Sequence, residues 1–331
     1  MKRRGLLSAA MAIGPASAAF AQTGGRRRRL AIVSPAESVA IMVEKGENRH
    51  YRALFEELRR LGHIEGSTLT VERYGRDSGA ASPLALQQQA VRAEPDVIYS
   101  IAFGSTLKQA TTTIPIVALV ADPVALGLAE SLARPGGNIT GVSVDAGPSI
   151  HSKRLQLLRE AFPALSILGF VTLRPIWQTV QGPHMIAATE AAGIRLVPKL
   201  LDLPASEKSF QDAIGEMPRD GVNAAIFGDN PASLAYRSAI VAAVAETRLP
   251  AMYTFPETVE AGGLMAYSFD LKELNIYAAR SIDAILRGTP PGTIPFYQAT
   301  TFLLSVNLKT AAAQGITFPP SILGRADEVI E

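Results

Sequence analysis

The side chains best placed for chemistry in this sequence are short hydroxyls and carboxylates that fall just after apolar runs. Ser34 closes Leu30-Ala31-Ile32-Val33, and Ser100 closes Asp96-Val97-Ile98-Tyr99. Asp122 follows the run 114–120, Thr172 follows 167–171, Asp229 and Asn230 follow 224–227, and Thr254 follows 250–253. Such groups hold a small molecule rather than break its bonds. A serine or threonine hydroxyl orients a carboxylate, and Asp122 or Asp229 faces an ammonium. Ile101 and Ala102 stand beside Ser100, while Trp177 and Tyr253 offer aromatic walls for an apolar body. Each also has a purely structural use. Ser34 and Ser100 suit helix N-caps, Asp122-Pro123 a turn, Asp229-Asn230-Pro231 a cap, Trp177 lobe packing and Tyr253 the core. The sequence leaves both uses open.

Several other chemistries are excluded or lack their motif. With no cysteine, thiolate metal sites, disulfides, cysteine nucleophiles and a lipoprotein anchor are impossible. His50, His63, His151 and His184 are isolated, with no second ligand at metal spacing. There is no Gly-x-Gly-x-x-Gly after a strand, no Walker loop, no His-Glu-x-x-His and no Gly-x-Ser-x-Gly elbow. Catalytic residues, a metal and a cofactor are therefore not expected.

The elements that must position these residues follow a repeated rhythm. Apolar runs at 30–33, 69–72, 96–99 and 114–120 alternate with helical patterns at 51–61 and 83–93. In the first of these, Leu54, Phe55, Leu58 and Leu61 share a face. The rhythm restarts with a helix at 153–162, then strands at 167–171, 194–197, 224–227 and 250–253, and helices at 185–192 and 232–246. Short apolar strands between helices predict α/β architecture: two doubly wound parallel sheets, each covered on both faces. Turn-rich stretches at 133–141, 260–263 and 287–292 predict that the chain crosses three times between two lobes, making a hinge with a cleft. The expected lobes are 28–143 plus 264–292, and 144–263 plus 293–331. In open α/β sheets ligands sit beyond the carboxyl ends of strands, which is where the nominated residues lie. Helices beginning there present free N–H groups, so the expected ligand is small and at least partly anionic, with an amino acid as the leading guess.

The 331-residue chain is 47% hydrophobic and 19% charged, which suits a globular protein and excludes disorder. Residues 1–21 read as an export leader: Lys2-Arg3-Arg4, a short apolar stretch, and Ala19-Phe20-Ala21 as a small-x-small cleavage site. The paired arginines allow twin-arginine or Sec export. Cleavage after Ala21 removes three positive charges and takes the formal charge from +2 to −1. The run Arg26 to Arg29 has no second basic cluster behind it, so a nucleic-acid surface is not expected.

Longer strings are more specific. They include Thr113-Ile114-Pro115-Ile116-Val117, Asp122-Pro123-Val124-Ala125-Leu126-Gly127-Leu128, and Ser131-Leu132-Ala133-Arg134-Pro135-Gly136-Gly137-Asn138-Ile139-Thr140-Gly141. Further along come Lys153-Arg154-Leu155-Gln156-Leu157-Leu158 and Val259-Glu260-Ala261-Gly262-Gly263-Leu264-Met265. Together they resemble the ABC transporter substrate-binding family that includes tryptophan- and other aromatic-amino-acid-binding proteins, over roughly residues 28–331. The resemblance implies a type I periplasmic-binding-protein fold, capture of a small molecule between lobes, an ABC permease in the inner membrane as partner, a periplasmic monomer and no enzymatic step. Departures affect the ligand: Ser100-Ile101-Ala102 stands where relatives often carry Ser-Thr-Pro, Thr172-Leu173 where they often carry Asn-Pro, and the segment 43–50 is longer and more polar. An extracytoplasmic sensor, an effector-binding domain of a transcription factor and a doubly wound enzyme are the alternatives.

Overall fold

Within β1 (Arg28–Ser34) successive side chains enter opposite cores, as a strand buried on both faces requires. Leu30 and Ile32 join a cluster with Leu54, Phe55 and Leu58 of the helix Arg49–Arg60 and with Leu274, Ala278 and Ile282 of the helix Leu271–Leu286. Ala31 and Val33 join the other cluster, under Leu86 and Ala90 of the helix Pro83–Arg92 and Leu107. The computed structural model describes residues 26–101, 104–144 and 148–331; the expected leader and Ala102 lie outside the described residues.

β1 sits inside a wholly parallel sheet. Its neighbours are β2 (Leu69–Gly75) and β3 (Val97–Ile101), followed by β4 (Ile116–Val120), β5 (Ile139–Ser143) and the short β11 (Tyr297–Gln298). A second sheet has the order β7 (Arg195–Leu201), β6 (Ile167–Leu173), β8 (Ala224–Phe227), β9 (Ala251–Tyr253), β10 (Met265–Phe269), β12 (Phe302–Asn307), β13 (Glu328–Ile330). It is parallel up to β10 and turns antiparallel at the β10–β12 pair. Period-two burial recurs here: Phe170, Ile226 and Met252 face one core, and Val171, Phe227 and Tyr253 the other.

Three local expectations change. The stretch 133–141 read as a turn, yet Ile139–Ser143 is a fully buried strand. Its glycine is a packing requirement, because a Cβ on Gly141 would lie 2.0 Å from the Ala118 carbonyl oxygen of β4, and its φ is +144°. The helical pattern 232–246 is interrupted at Tyr236, between helices Pro231–Ala235 and Arg237–Thr247. The lobe boundaries also move. β10 belongs to the second sheet and β11 to the first, so the chain returns at Asp270 and leaves again through 299–301. Gly262-Gly263 and 287–292 reverse the chain within one lobe instead of carrying it across. The crossings follow directly from strand ends, where extended backbone is already in place. They lie side by side: Ala299 N–H donates to the Ser143 carbonyl at 3.1 Å, and Asp270 N–H to the Thr301 carbonyl at 3.2 Å.

Candidate functional site

Each sheet has a point where neighbouring connections run in opposite directions, between β1 and β3 in the first and between β6 and β8 in the second. Loops diverge at such a point and leave a crevice beyond the carboxyl ends of the strands. Here the two crevices face each other across one cavity of about 170 Å³. The first lobe lines it with Glu37, Ile101, residues 119–121, Val144 and the helix residues His50, Tyr51, Leu271 and Asn275. The second supplies Leu173, Pro175, Ile176, Asp229, Asn230, Leu234, Phe255 and Phe269, among others. The wall is mainly aliphatic and aromatic, with few polar groups, a composition that takes an apolar body and orients it through one or two contacts.

Local structure explains how the polar groups arrive. Asn48 caps the helix Arg49–Arg60 by accepting from the N–H groups of His50 and Tyr51, at 2.9 and 3.2 Å. That cap sets the first turn, which carries His50 and Tyr51 to the cavity wall. The Tyr51 hydroxyl donates to Glu37 Oε2 at 2.6 Å. Burial, followed by the Glu37 charge, pushes the Tyr51 hydroxyl well above the ordinary tyrosine range, so it stays a donor. On the opposite wall the Asp229 carboxylate is held bidentately by Arg154, at 2.6 and 2.9 Å, and Arg154 Nε donates to the Tyr267 carbonyl. Arg154 is 1% exposed. Asp229 therefore meets the cavity with its charge already compensated.

The nominated residues divide into two groups. Ile101, Asp229 and Asn230 line the cavity. Asn230 is also the N-cap of Pro231–Ala235, accepting from Ser233 N–H at 2.9 Å. The other described nominees stand off the wall. Asp122 accepts from the Val124 and Ala125 N–H groups and shapes a turn. Thr172 donates to Gln181 Oε1 at 2.6 Å, and Gln181 in turn donates to the Asp229 carbonyl at 3.1 Å. Thr254 contacts the Gly228 carbonyl at 3.4 Å. The two threonines thus support the 228–230 turn from behind. Trp177 packs on Phe170, with ring centroids 5.8 Å apart, and Tyr253 stacks on Phe227 at 5.1 Å inside the core. Ser34 ends β1 and Ser100 lies within β3, and both are fully buried. The helix starts expected to cradle an anion are short, and Asn230 already caps the one after Asp229. Sequence reasoning missed Glu37, Tyr51, Arg154 and Asn275. Glu37 lies in the nominated loop after β1, three residues past Ser34, and following that loop further would have reached it. Arg154 carried no local signal, because its partner is 75 residues away.

The lobes are joined at the cavity rim. Arg49 pairs with Glu257 at 2.9 Å and with Glu260 at 3.0 Å, and His50 Nε2 lies 2.8 Å from Glu257. Arg76 lies over the Tyr236 ring at 5.8 Å. Each of these contacts runs from the first lobe to the second. Among the described residues there is no group of three or more His, Asp or Glu side chains placed to hold a metal, and no helix long and apolar enough to cross a membrane.

Comparison with known proteins identifies the family and the fold. A family model described as ABC transporter substrate binding protein matches residues 38–330. A tyrosine-binding protein of Clostridioides difficile is 23% identical over 249 residues, which cover 71% of this chain and 67% of that protein. Among solved structures, a conserved domain protein from Vibrio cholerae is 24% identical, with a TM-score of 0.80 over 92% of this chain and all of the other. An ABC domain from Streptococcus pneumonia in complex with L-Trp is 22% identical, with the same TM-score and the same coverage of both chains. These likenesses show the type I periplasmic-binding-protein fold that the sequence strings implied.

Proposed function

Because this chain belongs to the ABC transporter substrate binding protein family, a family of solute-binding proteins, we propose that it is the capture subunit of an importer outside the cytoplasm. In this reading it takes a small, amino-acid-like solute with a large apolar part between its lobes and presents it to an ABC permease. It acts as a monomer and no bond is broken. The supporting observation is a cavity lined from both lobes at the switch points of both sheets. A solute there contacts each lobe, so its binding energy favours the closed arrangement, and the permease recognises that arrangement. The wall argues against a polyhydroxylated ligand, since each sugar hydroxyl would need a polar partner that aliphatic side chains do not supply. Relatives that bind L-Trp and tyrosine favour an aromatic amino acid or a close analogue.

The test is a thermal-shift screen of refolded, ligand-free protein against amino acids, amines, sugars and nucleosides, followed by small-angle scattering with each hit. A stabilising solute is expected to reduce the radius of gyration, at an affinity near micromolar (about −8 kcal/mol). Stabilisation by sugars alone would reject the amino-acid-like ligand. The absence of any stabilising or compacting solute would reject capture.

A further inference from the structure

Glu37 is a buried carboxylate in an apolar cavity without a cation. It is 8% exposed and lines the cavity wall. Among the described residues its side-chain partner is the Tyr51 hydroxyl on Oε2, a neutral donor. Among the described residues no lysine or arginine lines the cavity, and His50, the basic residue that does, has its Nε2 on Glu257 of the other lobe. Asp229 across the cavity contrasts with it, because Arg154 occupies both of its oxygens. The Glu37 position is also rigidly specified. Its N–H donates to the Ser34 carbonyl at 3.3 Å, and its carbonyl accepts from Arg76 N–H at 2.8 Å. β2 approaches so closely that a Cβ on Gly75 would lie 2.6 Å from that carbonyl. Desolvating a carboxylate with no opposite charge is costly unless a cation arrives to compensate it.

We propose that Glu37 is the cation subsite of this cavity, and that the solute is an ammonium-bearing molecule with a compact apolar body, recognised through its amine and not through a carboxylate. This inference rests on the solute-capture reading. The ammonium ion-pairs with Glu37, which keeps the Tyr51 hydrogen bond on its other oxygen. The apolar body lies against Ile101, Leu119, Val144, Ile176 and Phe269. A solute carrying only a carboxylate brings a like charge to Glu37 and finds no basic side chain on the wall, so it is rejected by repulsion as well as by lost attraction. The anionic ligand expected from the sequence is thereby replaced by a cationic or zwitterionic one.

Four matched probes test the subsite by titration calorimetry on refolded, ligand-free protein: phenethylamine, L-phenylalanine amide, L-phenylalanine and 3-phenylpropionate. The amine and the amide are expected to bind within a few-fold of the amino acid, and 3-phenylpropionate about 100-fold or more weakly. Glu37→Gln, which keeps the side-chain shape, is expected to lose about 100-fold for the amine and the amide. Tyr51→Phe, which keeps the carboxylate, should retain most of that affinity, and thermal unfolding of each variant reports its folding. Equal or tighter binding of 3-phenylpropionate, or unchanged amine affinity in folded Glu37→Gln, overturns the subsite. If Glu37→Gln does not fold, the probe ranking on the wild-type protein decides alone. If no probe binds while a neutral solute compacts the protein, the subsite is overturned and capture stands. If no solute of any class compacts it, both are overturned.

Discussion

Arg154 and Asp229 form a buried ion pair whose geometry is nearly complete. Both carboxylate oxygens are engaged, and the Tyr267 carbonyl takes the remaining Nε proton. Such a pair gives little net stability against an apolar replacement, but breaking it leaves an uncompensated buried charge. Arg154→Met is expected to destabilise the protein by about 3–5 kcal/mol in urea unfolding, and the double replacement Arg154→Met, Asp229→Leu to recover most of that loss. Equal stability of Arg154→Met and wild type would show that Asp229 finds another partner. At this scale the two acidic groups on the cavity wall are chemically distinct. Asp229 is paired with Arg154, whereas the Glu37 side chain meets the neutral Tyr51 hydroxyl.

At the scale of elements, the first turn of Arg49–Arg60 meets the short helix Pro256–Glu260 across the lobe boundary. Glu257 receives Arg49 and His50 there. Burial raises its carboxyl pKa, but the His50 hydrogen bond and the positive charges of His50 and Arg49 outweigh burial, and hold it at about 2, below its ordinary 4.5. In this arrangement the pKa is depressed, so the contact's contribution to holding the lobes together is fully present above about pH 4.5 and is lost as pH falls through about 2. Scattering of the wild-type protein is expected to show a radius of gyration that grows as pH falls across that window, with far-UV circular dichroism marking where the fold itself gives way. Glu257→Gln should be open already at pH 5 and show no further growth before unfolding. The same acid dependence in Glu257→Gln and wild type would remove this contact as a closure device.

On the scale of the whole molecule, three adjacent crossings join the lobes, each emerging from a strand end, and the cavity lies between them and the Arg49–Glu257 rim. That arrangement allows two covered sheets to rotate as bodies while backbone pairing at the crossings persists. The importer role proposed above requires export. The sequence of residues 1–21 leads to the expectation that a cell fraction outside the cytoplasm contains a chain beginning at Gln22, and N-terminal sequencing reads this directly. A chain retaining Met1 in the cytosol would contradict export.

The sequence by itself determined the doubly wound sheets, the order of most strands along the chain, and the rule that loops after strands build the site. These are consequences of local periodicity, since an apolar run between amphipathic helices has few other ways to be buried. β5 was the exception, because its Gly141 resembles turn punctuation until the Ala118 backbone is seen pressed against it. Only the tertiary structure decided which loop residues line the cavity. Trp177 and Tyr253 had the composition of cleft walls, but alternation along β9 turned Tyr253 onto Phe227, and the helical turn that carries Trp177 packed it on Phe170. Asp229 had the composition of an ammonium acceptor, but a buried arginine from a distant helix neutralised it. Glu37 showed no motif at all, and only packing placed it on the cavity wall against the Tyr51 hydroxyl. The reason is physical: burial and charge compensation belong to pairs of residues far apart in the chain, and the backbone path that brings them together is set by packing that no short stretch of sequence encodes.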